Sequence, residues 1–274
     1  MDFIADNQSG SNESPVAKIL VVDDDNLNQR MMQLLLRRDG YQVDVVSSGM
    51  EALEAVKLQK YDVIFMDLQM PVMSGVETSR RIREWENGGQ HTFIVALTAS
   101  YLPEKGQELF EAGIDNYIAK PFELEHIQRL LKYSLNSPAT RADPLSASAQ
   151  EMPTHAVLDI RRGITQVGGD PESYRELLGD FVRELPRRLQ LIQDIFARKD
   201  WVELSRAAHN LKGIAASLGA AQLHACAEML DKQSVDGYTE TLDQLIGEIK
   251  LTGNNLIAAS NDFLTIENVN VRPL

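Results

Sequence analysis

The chain holds a single cysteine, Cys226, in 274 residues. An intrachain disulfide is therefore excluded, and a cytoplasmic setting is the natural expectation. Cys226 sits in an apolar helical stretch and reads as a small core residue. Long apolar runs are equally scarce. No run of about 18 apolar residues occurs, so the sequence predicts no membrane insertion. Basic charge is in deficit, with 27 Lys and Arg against 40 Asp and Glu and a formal net charge of −13. That balance argues against direct nucleic-acid binding. Phosphate-binding glycine loops are missing as well: neither a Walker loop nor Gly-x-Gly-x-x-Gly occurs, and Gly88-Gly89 and Gly168-Gly169 read as helix-end turns. No ATP-binding kinase module and no helix-turn-helix is legible. The 43% hydrophobic content still supports real cores, and the length suggests two domains of ordinary size.

What is present is organised around Tyr61-Asp-Val-Ile-Phe-Met-Asp67-Leu-Gln-Met-Pro71. The apolar run Val63 to Met66 predicts a strand buried on both faces, as in a parallel sheet, ending on the carboxylate of Asp67. Lys18 to Val22 is a second such strand and ends on Asp23, Asp24 and Asp25. Phe93 to Leu97 ends on Thr98-Ala99, and Tyr117-Ile-Ala-Lys120-Pro121 closes another, while Tyr41 to Val46 supplies a β-rich segment between helices. Amphipathic helices are expected over 26–39, 51–59, 75–86, 103–112 and 123–133. Five alternations of strand and helix predict a doubly wound parallel sheet. In such sheets ligands gather beyond the carboxyl ends of the strands, where these acids, the hydroxyl and the ammonium converge.

The acid pair, the Asp-x-x-x-Pro run with a following Gly, the Thr-Ala and the Lys-Pro, in that order, resemble the receiver domain of two-component response regulators over about Val16 to Tyr133. The resemblance implies the flavodoxin-like strand order 2-1-3-4-5 and names Asp67 as phosphoacceptor. It further implies Mg²⁺ held by Asp24, Asp67 and the Gln69 backbone carbonyl, with Asp23 acting largely through water. A cluster of hard oxygens suits that ion on chemical grounds too. Asp25 is expected to be peripheral. Lys120 would pair with the phosphoryl oxygens as a compact charge. By the same resemblance Thr98 would hydrogen-bond the phosphoryl group and let Tyr117 turn inward as a switch, and the Lys120–Pro121 bond is a candidate cis peptide.

Residues 1–15 read as a disordered lead-in, 16–136 as the α/β domain, and the Pro/Ser/Ala/Thr-rich 137–154 as a linker. Beyond it strand signals vanish. A short helix over 158–167, a long one over 171–199 with Pro186 as a candidate kink, and helices over 201–218, 221–232 and 238–263 predict a four-helix bundle with a small extra helix over 155–263, then a tail over 264–274. In the Trp201 helix, Leu204, Ala208, Leu211, Ile214, Ala215 and Leu218 form one stripe. At about 100° per residue His209 lies opposite Leu211 and is predicted to face solvent among Ser205, Lys212, Gly213 and Ala216.

Ala208-His209-Asn-Leu211-Lys212-Gly213, followed by Ser217-Leu218-Gly219, resembles the histidine phosphotransfer (HPt) domain. This makes His209 a second phosphoacceptor, with Lys212 shielding phosphoryl charge and Gly213, Ser205 and Ala216 at a docking surface. The expected function is a phosphorelay intermediate that accepts a phosphoryl group on Asp67 from an upstream histidine kinase or hybrid kinase and passes it through His209 to a downstream response regulator. It is a phosphotransfer protein rather than an enzyme of the kinase type. The alternative is a phosphorylation-gated module whose bundle docks or sequesters a kinase or regulator without relaying phosphate. An aspartyl-phosphate hydrolase of another family would place an acid where Gln69 stands. The domain order matches the C-terminal part of tripartite hybrid sensor kinases or a free-standing relay protein, and Met1 with its polar lead-in favours the latter. A linker of about 18 residues spans roughly 24 Å, which permits the two sites to meet within one chain.

Overall fold

The structure, a computed structural model, describes residues 16–89, 91–98, 106–120, 124–136, 156–234 and 239–265. The expected lead-in, linker, most of the tail and the Lys120–Pro121 bond fall outside these residues. Strands β1 (Lys18–Val22), β2 (Gln42–Val46), β3 (Val63–Asp67), β4 (Phe93–Thr98) and β5 (Asn116–Ala119) form one five-stranded sheet in the order β2-β1-β3-β4-β5. Every pairing is parallel. The strand side chains alternate between two cores, as a period of two requires. Ile19, Val21, Val63, Phe65, Phe93, Val95 and Leu97 face α1 (Asn26–Arg38) and α5 (Leu124–Asn136). Leu20, Val22, Ile64, Met66, Ile94 and Ala96 face α2 (Gly49–Leu58), α3 (Gly75–Glu86) and α4 (Gly106–Glu111). Burial on both faces explains why these strands read as unbroken apolar runs.

Three of the helices on the sheet start where a short polar side chain accepts orphan backbone N–H groups. Asp25 caps α1, Ser48 caps α2 and Ser74 caps α3. Gly75 opens α3 so close to the end of β3 that a Cβ there would lie 2.1 Å from the Asp67 carbonyl oxygen. Only glycine allows that approach, and it presses the start of α3 against the residue carrying the candidate nucleophile.

The second half is helical: α6 (Ile160–Gln166), α7 (Pro171–Ala197), α8 (Trp201–Ser217), α9 (Ala221–Ser234) and α10 (Thr239–Thr265). Asp170 caps α7 with Pro171 in its first turn, where the missing N–H costs nothing, and Pro186 lies inside the helix. Leu204, Ala208, Leu211, Ile214 and Ala215 of α8 are buried, as the stripe predicts. Shortening a buried Leu204 or Leu211 to Ala would cost about 2–5 kcal/mol each.

The halves are not separate bodies. Leu27 and Met31 of α1 lie against Leu177, Ile214 and Leu218, and one apolar cluster runs from the sheet through α1 into the bundle. Polar pairs frame the contact. Arg30 of α1 binds Glu176 and Asp180 of α7, and Arg38 donates to the Gly168 carbonyl. Arg188 of α7 donates to Asp25 at 2.5 Å. The acid expected to be peripheral is thus the cap of α1 and the anchor of an interdomain ion pair.

Candidate functional site

At the carboxyl edge of the sheet, Lys120 Nζ lies 2.8 Å from Asp23 Oδ2 and 2.8 Å from Asp67 Oδ2. Lysine is delivered by the end of β5 and the acids by the ends of β1 and β3, so topology alone makes the cluster. Asp23 and Asp67 are 1% and 2% exposed. Burial would pull the Lys120 ammonium down, but the charges of Asp23 and Asp67 outweigh it and hold its pKa well above the usual lysine value. Burial pushes Asp23 up to about 7; Lys120 opposes this, and the neighbouring Asp67 carboxylate reinforces it. Asp24 is also raised, by burial first and by Asp67 second, with Arg206 of the bundle opposing.

Backbone and amide donors orient the acids. The Asp25 N–H (2.9 Å) and the Asn28 side chain (3.2 Å) donate to Asp23 Oδ1, and the Gln69 N–H donates to Asp67 Oδ1 at 3.0 Å. Gln29 ties the Asp23 carbonyl at 2.6 Å to the Val46 carbonyl and the Ser47 hydroxyl. Asn28 and Gln29 escaped the sequence reading because they lie in the first turn of α1 and carry no motif of their own.

The pocket suits a hard cation. Ligand atoms from Asp23, Asp24 and Asp67 all lie within 4.8 Å of one another. Asp24 Oδ1 is buried and has no hydrogen-bond partner in the described structure. Three carboxylates facing one ammonium leave a negative surplus, which an oxygen-seeking divalent ion would balance.

Thr98 ends β4 and is 7% exposed, and its carbonyl accepts the Lys120 N–H at 2.5 Å. Tyr117 is already inward at 2% exposure, its ring within 3.8 Å of where a Gly106 Cβ would stand. The described state therefore holds the inward position that the switch expectation reserved for the phosphorylated chain.

The second site departs further from expectation. His209 is not solvent-facing: it is 7% exposed, and Nδ1 lies 3.1 Å from Asp231 Oδ2 on α9. The single-helix argument fails because α9 covers the side of α8 opposite Leu211. Lys212 is likewise buried, and its Nζ donates to the same Asp231 oxygen at 2.8 Å rather than standing free. Ser205 donates to Asp231 Oδ1 at 2.8 Å. Ala216 is fully buried and cannot form a docking surface. At Gly213 the surface is open: a Cβ there would meet nothing within 4 Å.

Asp231 is the residue of this candidate site that the sequence did not disclose. It lies 22 residues beyond His209 on another helix, so no local spacing could point to it. Burial would raise its carboxyl, but hydrogen bonds from His209 and Lys212, the Lys212 charge and the Ser205 bond hold it down to about 2. An ionised carboxylate only accepts hydrogen bonds, so His209 Nδ1 carries a proton toward Asp231, and Nε2 is the ring nitrogen this bond leaves unused.

A parallel-sheet domain with a buried acid–lysine pocket, followed by a helical domain with a carboxylate-held histidine, defines the two-component signalling class. Residues 19–132 match the response regulator receiver domain and residues 176–255 the Hpt domain. The chain belongs to these two families, joined in that order. The sensor protein GacS of Pseudomonas syringae pv. syringae is 31% identical over 241 residues, 85% of this chain and 26% of its own length. The aerobic respiration control sensor protein ArcB of Escherichia coli K12 is 26% identical over 239 residues, 86% of this chain and 30% of its own. The chain thus spans under a third of the curated relatives it matches. Among solved structures, the receiver domain of a sensor histidine kinase from Pseudomonas aeruginosa, described with a magnesium ion in its active site cleft, is 38% identical at a TM-score of 0.41, covering 44% of this chain and 99% of that one.

Proposed function

We propose that the chain is a cytoplasmic phosphorelay intermediate, with a receiver over 16–136 and a histidine phosphotransfer bundle over 155–263. The observation that supports this reading is that one chain holds two distinct settings suited to a phosphoacceptor: Asp67 against Lys120 in an acid pocket, and His209 against Asp231. An upstream histidine kinase is the donor and a downstream response regulator the acceptor.

Asp67 offers a carboxylate oxygen to the phosphorus of the incoming phosphohistidine. The new P–O bond forms as the P–N bond breaks, and the electron pair returns to the donor ring. Lys120 lies within hydrogen-bond reach of Asp67 and meets the charge on the phosphoryl oxygens, while Thr98 donates its hydroxyl to one of them. Asp23, Asp24, Asp67 and the Gln69 carbonyl would hold Mg²⁺, which supplies the positive charge that the transferring group and the crowded acids need. Onward transfer uses His209 Nε2: the P–N bond forms, the P–O bond to Asp67 breaks, and Asp67 leaves as a carboxylate. Asp231 keeps the proton on Nδ1 and balances the positive charge the ring acquires, so the helix needs no metal of its own.

A second reading is favoured by the packing of the bundle on α1 of its own receiver. In it the helical half docks and gates without carrying phosphate. Labelling with acetyl phosphate and Mg²⁺ separates the two, because phosphoaspartate is base-labile and phosphohistidine acid-labile. Base-stable label that requires both Asp67 and His209 (absent in Asp67→Asn and in His209→Gln) is the expected result. Label on Asp67 alone, even with a separate phosphorylated receiver offered to His209, would leave only the gating module.

A further inference from the structure

The face of the receiver beside its acid pocket is occupied by the chain's own bundle. Arg188 of α7 donates to both oxygens of Asp25, at 2.5 and 3.3 Å, next to Asp24 at the pocket mouth. The two side chains are 21% and 5% exposed, so salt screens the pair less than a surface pair. Arg30 grips Glu176 and Asp180 farther along the same two helices. Between the halves remains a cleft of about 330 Å³ whose lining includes Asp24, Asn26, Arg188, Arg206 and Asn210. From α8, therefore, Arg206 and Asn210 look toward the receiver. His209 lies about 60° round that helix from Arg206 and about 100° from Asn210, on the side away from the cleft, its ring held by Asp231 of α9. A phosphoryl group on Asp67 would meet a guanidinium and an amide here, not the imidazole.

We propose that this docked arrangement is a latched state that keeps Asp67 and His209 apart. The α1–α7 contact, held by the Arg188–Asp25 and Arg30 pairs, is the latch. Transfer from Asp67 to His209 proceeds only once the bundle swings away, or between two separate chains. The inference rests on the relay reading above. It goes beyond that reading by making domain separation, rather than chemistry, the gate on the second step.

The test uses the full chain with Arg30→Glu and Arg188→Glu together, both outside the two reacting sites. Small-angle X-ray scattering reads the opening, and acetyl phosphate labelling with Mg²⁺ reads the two acceptors. The expected result is a larger maximum dimension, unchanged labelling of Asp67, and His209 labelling faster on the order of tenfold, as loss of a buried charge pair shifts the docking equilibrium. Raised ionic strength, acting on the exposed Arg30–Glu176 pair, should move the unaltered chain the same way to a smaller extent, which keeps the test alive if the double variant folds poorly. An opened variant that labels His209 no faster overturns the latch, and so does scattering that neither the variant nor salt changes. If His209 takes no label in any chain, even from a separate phosphorylated receiver, the relay reading is what fails. The docked interface is then upheld by opening in the variant and overturned by its absence.

Discussion

The two candidate acceptor sites pose opposite electrostatic problems. Around Asp67 three carboxylates face one lysine, and the pocket is over-supplied with negative charge. Around His209 one carboxylate, Asp231, accepts from an imidazole, an ammonium and a hydroxyl at once, and every partner is satisfied locally. The first site is built to be incomplete without a cation. The second is complete as folded. On the proposed relay, that contrast would let an acyl phosphate on Asp67 and a phosphoramidate on His209 share one chain: charge neutralisation is concentrated at the receiver, and the bundle contributes position.

Removing the lysine of the first site should have the largest effect. Lys120→Ala is expected to lower Asp67 labelling by acetyl phosphate by about 10²-fold or more, the usual scale for deleting a preorganised charge at a transferring group. His209 labelling from a separate phosphorylated receiver should be unaffected. A Lys120→Ala chain that still labels Asp67 at full rate would break the contrast.

The carboxylates of the two sites are shifted in opposite directions, so both sites lose out on acidification but in different pH windows. Asp23 is raised by burial to about 7, so below that pH it binds a proton that Mg²⁺ must displace. Mg²⁺ affinity, read by calorimetry, is therefore expected to fall as pH drops through 7, with proton release on binding. Asp231 is lowered to about 2 against an unfolded value of 3.8. Its contribution is full above pH 3.8 and is lost as pH falls toward 2. From the size of that shift it is worth on the order of 2 kcal/mol, and Asp231→Asn should remove this acid-side loss from a urea–pH series.

The smallest effect sharpens the comparison most. Gly213 sits mid-helix with open space where its Cβ would be. Gly213→Ala should stabilise α8 by about 0.5–1 kcal/mol through helix propensity, while slowing phosphoryl transfer to His209 by closing the approach to the ring. A gain in thermal stability with undiminished transfer would show that partners reach His209 from another side.

Most of the receiver was legible because its signals are local. Strand runs ending in Asp23, Asp67 and Thr98 announce both the sheet and the edge where chemistry collects, and the observed strand order is the expected one. The bundle disclosed its helices and its histidine but not the environment of that histidine. Angular arithmetic on α8 correctly placed His209 opposite Leu211, yet exposure depends on what covers that side, and α9 does. Ala216 was misplaced on the outer face for the same reason. The Arg188–Asp25 pair joins residues 163 apart across two domains, beyond any periodicity.

Gly75 carries a consequence for how this chain can vary. A side chain there would sit 2.1 Å from the Asp67 carbonyl and 2.9 Å from the Met66 side chain, so no substitution fits without moving the strand end that carries the nucleophile. A saturation scan would find Gly75 and Asp67 equally intolerant, for unlike reasons. An Asp67 variant keeps its shape and loses its acceptor; a Gly75 variant keeps its acceptor and loses the place where it stands. The glycine is constrained by the atom it lacks, and it ties the drift of a residue with no chemistry to that of the residue with the most.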